Sequence, residues 1–311
     1  MRELKILTDT FQSLGGDPEV FQDRHIAHMA ASGHRLVSQR EIPGITIDAQ
    51  ETGDGITNTI IIEKGKRIEL PIHLCLGITE KAGIQRIQTR LVIEEGASAS
   101  FLAHCLFPFV ESGEHRMDAT IEIKEGAHVR YHESHYQGTH GGMVVVPKAI
   151  IAVGPGAQYF SDFSLVKGRV GQLNIDYVVQ VDTSAVAELT SKVFGRESDS
   201  IHIKEKMVLA GEYAKGLIKT RVALEHDAQG EMTGIMEAHA KGARGHVDCR
   251  EIIKDRAVGR AIPIVEVTHP EAKVTHEAAI GTVDKKELET LMAHGLDPEQ
   301  ATELIVSGML Q

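Results

Sequence analysis

A fixed repeat is the feature of this sequence that most restricts its fold. Three segments align, IEEGASASFLAHC, IKEGAHVRYHESH and AVGPGAQYFSDFS, and their Gly-Ala pairs begin at Gly96, Gly126 and Gly156, 30 residues apart each time. A weaker copy, VDTSAVAELTSKV, has Ala185 where the third segment has Ala157. A constant period of this length is typical of solenoids, in which each repeat is one coil that stacks on the next.

The residues of the repeat favour β-structure. From about residue 68 to residue 280, strand-like runs alternate with turns, and helical periodicity is almost absent. Because each unit is rich in β-branched residues and contains a turn, we predict a mostly β chain whose core is a β-helix with coils roughly 4.8 Å apart. The alternative is an antiparallel sandwich in which the repeat spacing is a coincidence.

Both ends of the chain depart from the repeat. Residues 1–40 predict an N-terminal helical segment, with a helix that begins at Asp17 and ends near Gly33. The apolar face of this helix would consist of Val20, Phe21, Ile26, Met29 and Ala30. Residues 41–281 predict the β-helix core. Residues 282–311 predict two short amphipathic helices, which either cap the open end of the solenoid or present a groove to a partner.

Charge and composition exclude several classes of protein. The formal net charge of −11 argues against nonspecific binding to nucleic acid, which requires Lys and Arg to neutralise phosphates. No apolar run is long enough to span a bilayer, and the N-terminus, MRELKILTDTFQSLGG, lacks the apolar stretch of a secretion signal. We therefore expect a cytoplasmic protein without a membrane partner. Three cysteines without a CxxC pair favour neither a disulfide framework nor a zinc knuckle.

The same period also relates three side chains with metal or redox chemistry. Cys75, Cys105 and His135 are separated by 30 and 30 residues, so a regular solenoid would stack them in one column. A Cys75–Cys105 disulfide is conceivable there but disfavoured in a reducing cytosol. The alternative is that two buried cysteines and a surface histidine share the spacing by accident.

The run HVRYHESHYQGTHGG is interpreted as a solvated strand face and a glycine-rich loop, with a metal or proton-relay site as the alternative.

A second group of candidate residues lies near the end of the repeat. Cys249, in ARGHVDCREI, precedes His276 by about the length of one coil. The strand predicted over 272–280 carries the triplet Thr275-His276-Glu277 in an otherwise small and apolar run. If the repeat continues this far, a thiol, an imidazole and a carboxylate meet on one surface. The alternative for the cysteine is a small buried apolar residue.

The C-terminal run VTHPEAKVTHEAAIGTVDKKELETLMAHGLDPEQATELIVSGML resembles the C-terminal signature of the SufB/SufD family, the scaffold proteins of the Suf iron–sulfur assembly system. The resemblance extends upstream through KVFGRESDSIHIKEKMVLAGEYAKGLIKTRVAL and ARGHVDCREI to EEGASASFLAHCLFP, so it covers roughly residues 70–311. It is strongest to the compact archaeal members. It implies a right-handed parallel β-helix, C-terminal helices that bind the ABC-type ATPase SufC, and pairing of two scaffold subunits through their β-helices.

The resemblance also implies roles for individual residues. Cys249 matches the SufB cysteine regarded as the principal cluster ligand, and His276 and Glu277 match the histidine and glutamate of the SufB stretch EHEAT. SufD-like chains carry glycine after that histidine, so Glu277 favours SufB. Cys105 matches a SufB cysteine implicated in accepting sulfur, and Lys148 matches, loosely, a lysine on the proposed sulfur path.

The sequence departs from the family pattern in two places. Thr275 replaces the first acidic residue of EHE, and near Cys75 there is no equivalent of the family's tunnel arginine or tryptophan. The sulfur-entry route of the family is therefore not readable in this chain.

These observations predict a non-enzymatic scaffold that carries a transient iron–sulfur cluster. One cysteine per chain cannot fill four iron positions, so two subunits would each supply Cys249, with Glu277 or His276 completing the ligand set. The chain would form a homodimer, or a SufB/SufD-like heterodimer, and deliver clusters to recipient apoproteins. ATP hydrolysis would come from the separate SufC-like ATPase, because no GxxxxGK[ST] phosphate loop is present.

Two other functions remain open at this stage. A SufD-like structural subunit would lack the principal cluster ligands, and Cys249 and Glu277 speak against it. A β-helix carbohydrate enzyme, such as a polysaccharide lyase or hydrolase, would need aromatic platforms in an open groove, and aromatic residues make up only 4% of the chain.

Overall fold

Strands, three α-helices and one 3-10 turn make up the part of the chain that the structure describes, residues 2–310 of a computed structural model. The strands are β1 (His28–Ser32), β2 (Arg35–Arg40), β3 (Ile45–Glu51), β4 (Gly55–Ile62), β5 (Ile72–Gly77), β6 (Ala82–Ile93), β7 (Ser98–Phe107), β8 (Ser112–Ile123), β9 (His128–Gln137), β10 (Met143–Val153), β11 (Gln158–Lys167), β12 (Gly171–Val181), β13 (Val186–Gly195), β14 (Ser200–Leu209), β15 (Lys215–Leu224), β16 (Gln229–Ala238), β17 (Arg244–Ile253), β18 (Val258–Val267) and β19 (Lys273–Gly281). The helices are α1 (Arg2–Ser13), α2 (Lys285–Ala293) and α3 (Pro298–Met309), and the 3-10 turn (Pro18–Phe21) lies between α1 and β1.

Successive strands alternate between two sheets that enclose one core. Sheet A has the order β19-β17-β15-β13-β11-β9-β7-β5-β1-β2, and sheet B has the order β18-β16-β14-β12-β10-β8-β6-β4-β3. The strands pair in parallel, apart from the antiparallel pairs β1 with β2 and β3 with β4. This arrangement is a β-solenoid of about eight coils. The predicted β-helix is confirmed, and the antiparallel sandwich is wrong.

A residue in the left-handed backbone region marks the same turn in successive coils. Gly96, Gly126 and Gly156 have φ angles of 65°, 66° and 66°, and the equivalent Ser184 and Tyr213 have φ angles of 57° and 60°. Glycine adopts this conformation without a steric cost, whereas other residues are strained in it. The repeat fades after the third segment because the next two turns lack the glycine and the coil shortens, although the coils continue and the pair returns as Gly242-Ala243.

Alternate residues of every strand face the interior and form one continuous core of Val, Ile, Leu, Ala and Phe side chains. The residue after each turn is an alanine buried at the corner of this core: Ala97, Ala127, Ala157, Ala185, Ala214 and Ala243. The Gly-Ala pair of the repeat therefore combines a backbone requirement with a packing requirement, since a small side chain fits the corner.

The prediction of a helix between Asp17 and Gly33 is wrong, because only its first residues, Pro18–Phe21, form a helical turn, and this turn is of the 3-10 type. Its apolar residues Met29 and Ala30 lie instead in β1, which pairs with β5 and is buried at every position. The core covers one face of β1, and α1 with the 3-10 turn covers the other. A strand buried on both faces is apolar throughout, so periodicity cannot distinguish it from a buried helix.

The two C-terminal helices are confirmed, but α3 lies on the flank of the solenoid. Val306 and Leu310 pack against Ala223 on the outer face of sheet A. The inner faces of β18 and β19 remain uncovered, and Val265 and Val267 are 39% and 46% exposed. The end of the solenoid is therefore open within the described chain. No helix between residues 2 and 310 is long and apolar enough to cross a membrane.

Candidate functional site

Cys249 lies inside the solenoid on β17 of sheet A. One strand, β19, separates β17 from the open end, and one strand, β15, separates β17 from β13, which carries Ser191. Its partners in register are Thr220 on β15 and Ala278 on β19, and Thr220 pairs in turn with Ser191. The thiol is fully buried. Burial, together with the negative charge of Glu205, raises the pKa of Cys249 to about 11, so the thiol is protonated at neutral pH in this closed form.

Two buried carboxyl groups face the same part of the interior. Glu205 on β14 accepts hydrogen bonds from the hydroxyl groups of Ser191 and Thr220, at 2.7 Å and 3.0 Å. Glu251 follows Cys249 by two residues and shares its face, and neither of its carboxyl oxygens has a hydrogen-bond partner among the described residues. Burial raises the pKa of Glu205 to about 6 and that of Glu251 to about 7.

These groups supply the elements of a thiolate-forming site. A cysteine binds iron as a thiolate, so the Cys249 proton must leave when a metal ion arrives. A carboxyl group that titrates near neutrality, such as Glu251, is a suitable acceptor for that proton. After passing this proton to solvent, Glu251 is again a carboxylate and can serve as a weaker oxygen ligand beside the sulfur.

The structure does not bring Cys249, His276 and Glu277 onto one surface of the chain. On β19, His276 pairs with Val247 and Glu277 pairs with Asp248. Because side chains alternate between faces, His276 shares the interior face of Cys249, whereas Glu277 lies on the outer face. There the Glu277 carboxylate accepts a hydrogen bond of 3.3 Å from Arg250. The expectation of one shared surface is therefore wrong for a single chain.

The reason is the length of the last coil. The residue in register with Cys249 is Ala278, 29 positions along the chain, whereas His276 is only 27 positions along. His276 lies two positions before Ala278, so its side chain is on the same face of the sheet as that of Ala278 but is displaced along the strand. Glu277 lies one position before Ala278, so its side chain is on the opposite face of the sheet.

The predicted column of Cys75, Cys105 and His135 is half correct. Cys105 on β7 pairs with His135 on β9, as expected, but its partner on β5 is Leu76. Cys75 pairs with His104, so its side chain points to the opposite face of sheet A and packs against Leu7 and Phe11 of α1. All three cysteines are free, and Cys75 and Cys105 lie on opposite faces of the sheet. His135 is buried rather than on the surface.

Lys148 lies outside the solenoid. It pairs with Asp118 on β8 and Asp176 on β12, its side chain is exposed, and these residues line a groove on the outer face of sheet B. Cys105 faces the interior. The structure therefore does not bring Lys148 and Cys105 together, and an interior path cannot include the lysine.

The histidine-rich strand β9 divides between its two faces. His128 and His132 point outward, as predicted for a solvated strand face, and His135 points inward. Inside, the ligand atoms of His135, Cys105 and His115 all lie within 4.8 Å of one another. Burial lowers the pKa of His115 well below 6.5 and raises that of Cys105 well above 9.0.

Sequence reasoning missed His115, Glu205 and Glu251, although the two glutamates follow a readable pattern. Glu205, for example, lies in the strand IHIKEKMVL, where the alternate positions Ile203 and Met207 are apolar and buried. A polar side chain on the same side of a strand as the buried apolar residues points into the core. Such positions are rare and mark buried chemistry, because an unpaired buried charge is costly.

Comparison with known proteins gives a consistent result. Residues 77–309 match the family model described as "SUF system FeS cluster assembly, SufBD core domain". The chain is 39% identical over 276 residues to an iron–sulfur cluster assembly SufBD family protein of Methanocaldococcus jannaschii, covering 89% of this chain and 87% of that protein. It is 32% identical over 312 residues to a SufBD family protein of Pyrococcus horikoshii, covering 100% of this chain and 94% of that protein. A SufBD family protein of Staphylococcus haemolyticus is 24% identical, and the match covers 98% of this chain and 64% of that protein.

Proposed function

The chain belongs to the SufBD family of iron–sulfur cluster assembly proteins, and we propose that it is a SufB-like, non-enzymatic scaffold on which a transient cluster is built. The position of Cys249 carries this proposal. Its sulfur lies one strand below the open end of the solenoid, beside Glu205 and Glu251, which supply a proton acceptor and weaker oxygen ligands. A scaffold must release its product, and a mixed sulfur and oxygen ligand set holds iron less tightly than four thiolates.

We propose that two chains meet through their open ends. β18 and β19 are the last strands of their sheets and leave unpaired backbone edges. Exposed Val265, Val267 and Ile280 accompany these edges, and an exposed apolar strand edge favours pairing with another chain. A homodimer formed here would bring two copies of Cys249 toward each other, with His276 and Glu277 at the seam. A SufB/SufD-like heterodimer is the alternative.

Access to Cys249 requires movement, because its side chain is fully buried. The last coil, β18 and β19, separates the thiol from the open end. We propose that a SufC-type ATPase docks on α2 and α3, where Met292 and Leu304 are exposed, and that ATP binding displaces this coil. Closure of the ATPase subunits on ATP would supply the free energy for this displacement. The opened site would then admit iron and sulfide and release the cluster to recipient apoproteins.

Cys105 is the proposed acceptor of sulfur, as the family resemblance implies. It faces the same interior as Cys249. The inward residues in register below Cys249 are Thr220, Ser191, Phe163 and Glu133, and this column meets β7 at Ala103, two positions before Cys105. Five coils separate β7 from β17, which is about 24 Å at the usual strand spacing. Sulfur delivered at Cys105 would have to travel along this interior column.

The experiment is anaerobic reconstitution of the purified chain with Fe²⁺ and sulfide. We expect a coloured, cluster-bearing dimer from the wild type and loss of the cluster in Cys249→Ala. Cys75→Ala is the matched control, because it removes a buried thiol from the other face of sheet A and should retain the cluster. An equally stable cluster in Cys249→Ala would overturn the ligand assignment, and a cluster that forms only with a second scaffold chain would favour the SufD-like role.

The groove around Lys148 does not support a carbohydrate-active enzyme. The groove around Lys148 on the outer face of sheet B presents Arg90, Asp118 and Asp176, but none of the described residues that line it is aromatic. Sugar-binding grooves in open β-helices use aromatic rings as platforms for the sugar faces.

A further inference from the structure

A buried group of metal-ligating side chains lies in the N-terminal half of the solenoid, far from Cys249. Cys105 on β7 and His135 on β9 come from sheet A, and His115 on β8 comes from sheet B. One ligand atom from each residue lies within 4.8 Å of the other two. Cys105 and His115 are fully buried and His135 is 4% exposed, so water has little access to the group.

The histidines of this group leave polar atoms without partners. Both ring nitrogens of His115 and Nδ1 of His135 are buried and have no hydrogen-bond partner among the described residues. Nε2 of His135 lies 2.7 Å from a carboxylate oxygen of Glu133. If Nε2–H donates to this carboxylate, Nδ1 carries the free lone pair, which is the arrangement of a histidine oriented by a carboxylate for metal binding. Buried groups left unpaired in this way call for a ligand or ordered water.

We propose that Cys105, His115 and His135 bind a single divalent transition-metal ion of the zinc class. The thioether of Met117 is placed as a weak fourth ligand, since its sulfur lies 3.9 Å from Cys105 Sγ. Thiolate, imidazole and thioether ligands prefer Zn²⁺ and related ions over Mg²⁺ or Ca²⁺.

The dimensions of the group suit such an ion. Zinc lies about 2.3 Å from sulfur and about 2.0–2.1 Å from nitrogen, so tetrahedral ligand atoms are about 3.4–3.6 Å apart. Ligand atoms already within 4.8 Å reach this separation after side-chain shifts of about 1 Å. The rings of Phe107 and Phe163, with centroids 4.8 Å from that of His115 and 4.9 Å from that of His135, form an apolar shell around it.

Charge balance favours a divalent ion. On binding, the Cys105 thiol releases its proton to solvent and becomes a thiolate, and Glu133 supplies a second negative charge in contact with His135. Two negative charges neutralise a 2+ ion, whereas a 1+ ion such as Cu⁺ would leave an uncompensated charge in the core. The bound ion would join strands of both sheets.

This metal site is independent of the proposed cluster at Cys249. It uses no residue of that cluster, and its two sheet A ligands lie four and five coils from Cys249, at about 19 Å and about 24 Å. It does restrict the role of Cys105, because a thiolate bound to zinc cannot accept sulfur at the same time. Metal occupancy and sulfur acceptance at Cys105 therefore exclude each other.

The test is metal binding by the full chain after removal of metal under anaerobic conditions. Titration with Zn²⁺, and with Co²⁺ as a spectroscopic probe, should give one site per chain, and bound Co²⁺ should show a thiolate-to-metal charge-transfer band. Cys105→Ala should abolish this band, and Cys75→Ala and Cys249→Ala should retain it. Glu133→Gln should weaken binding by about 10–100-fold, because it removes the group that orients His135.

A measurement on the wild type tests the proposal even if the variants fail to fold. X-ray absorption of the zinc-loaded chain should show sulfur and imidazole nitrogen ligands, and a shell of oxygen and nitrogen alone would overturn the proposal. In a Cys249→Ala background, which removes the other proposed thiolate ligand, a Co²⁺–thiolate band that survives Cys105→Ala in the folded chain would do the same. Loss of the cluster in Cys249→Ala with intact zinc binding would separate this site from the scaffold function.

Discussion

Cys249 pairs in register with Ala278, so the residue directly above the buried thiol in the last coil has no side chain that can bind a metal. The ligand-bearing residues of the last coil, His276 and Glu277, lie two positions and one position earlier along β19. A cluster at Cys249 therefore draws its other ligands from within the core, from a second chain, or from a rearranged last coil. Glu205 and Glu251 are the buried carboxyl groups that face the same part of the interior.

The register of the last coil can be tested with a cross-link. Residues in register on neighbouring parallel strands have Cα atoms about 4.8 Å apart, within the range that a disulfide spans. Mild oxidation of Ala278→Cys should therefore join it to Cys249, and alkylation after unfolding should find two free thiols instead of four. His276→Cys is the control, because its Cα lies roughly 8 Å from that of Cys249, beyond disulfide range. A cross-link in the control alone would show that the last coil is shorter and brings His276 into register with the thiol.

The fold was predictable from the sequence because turns and corners repeat visibly. Gly126 and Ala127, for example, show both the left-handed turn and the small corner residue of one coil. The candidate site was less predictable, because it depends on coil length to within one residue. The coil from Cys75 is one residue shorter than the repeat, which turns this thiol to the outer face. The coil from Cys249 to Ala278 is likewise 29 residues long, so His276, 27 residues from Cys249, lies two positions short of the thiol. Coil length follows from loop packing in three dimensions, which one sequence does not reveal.

Glu251 should make the stability of the chain depend on pH. Burial raises its pKa from 4.5 to about 7, so between these values the folded chain holds a proton that the unfolded chain has lost. Stability is therefore greatest below pH 4.5 with respect to this group and falls as the pH rises to about 7. Glu251→Gln should flatten this part of the profile and stabilise the chain above pH 7. Denaturant midpoints at a series of pH values measure the effect, and the exposed Glu271→Gln should leave the profile unchanged.

The three cysteines should be protected from alkylation in the native chain. All are buried, and at neutral pH a thiol with a pKa of about 11 holds roughly 100-fold less thiolate than one with the ordinary value of 9.0. Iodoacetamide at pH 7 should therefore modify Cys249 only slowly, as followed by mass spectrometry. In the presence of the ATPase and ATP, Cys249 alone should become reactive, with Cys75 as the internal control. Equal labelling with and without ATP would argue against an opening of the last coil.

A matched pair of variants should separate the two proposed interfaces. Val267→Asp places a carboxylate on the exposed end of sheet B, and Leu304→Asp places one on the exposed face of α3. An unpaired charge buried in an interface is strongly unfavourable, so we expect each substitution to weaken its own interface by more than about 100-fold. In analytical ultracentrifugation Val267→Asp should be monomeric and Leu304→Asp dimeric, whereas pull-down of the ATPase should fail only for Leu304→Asp. If Val267→Asp remained a dimer, the chains would meet elsewhere than at the open end.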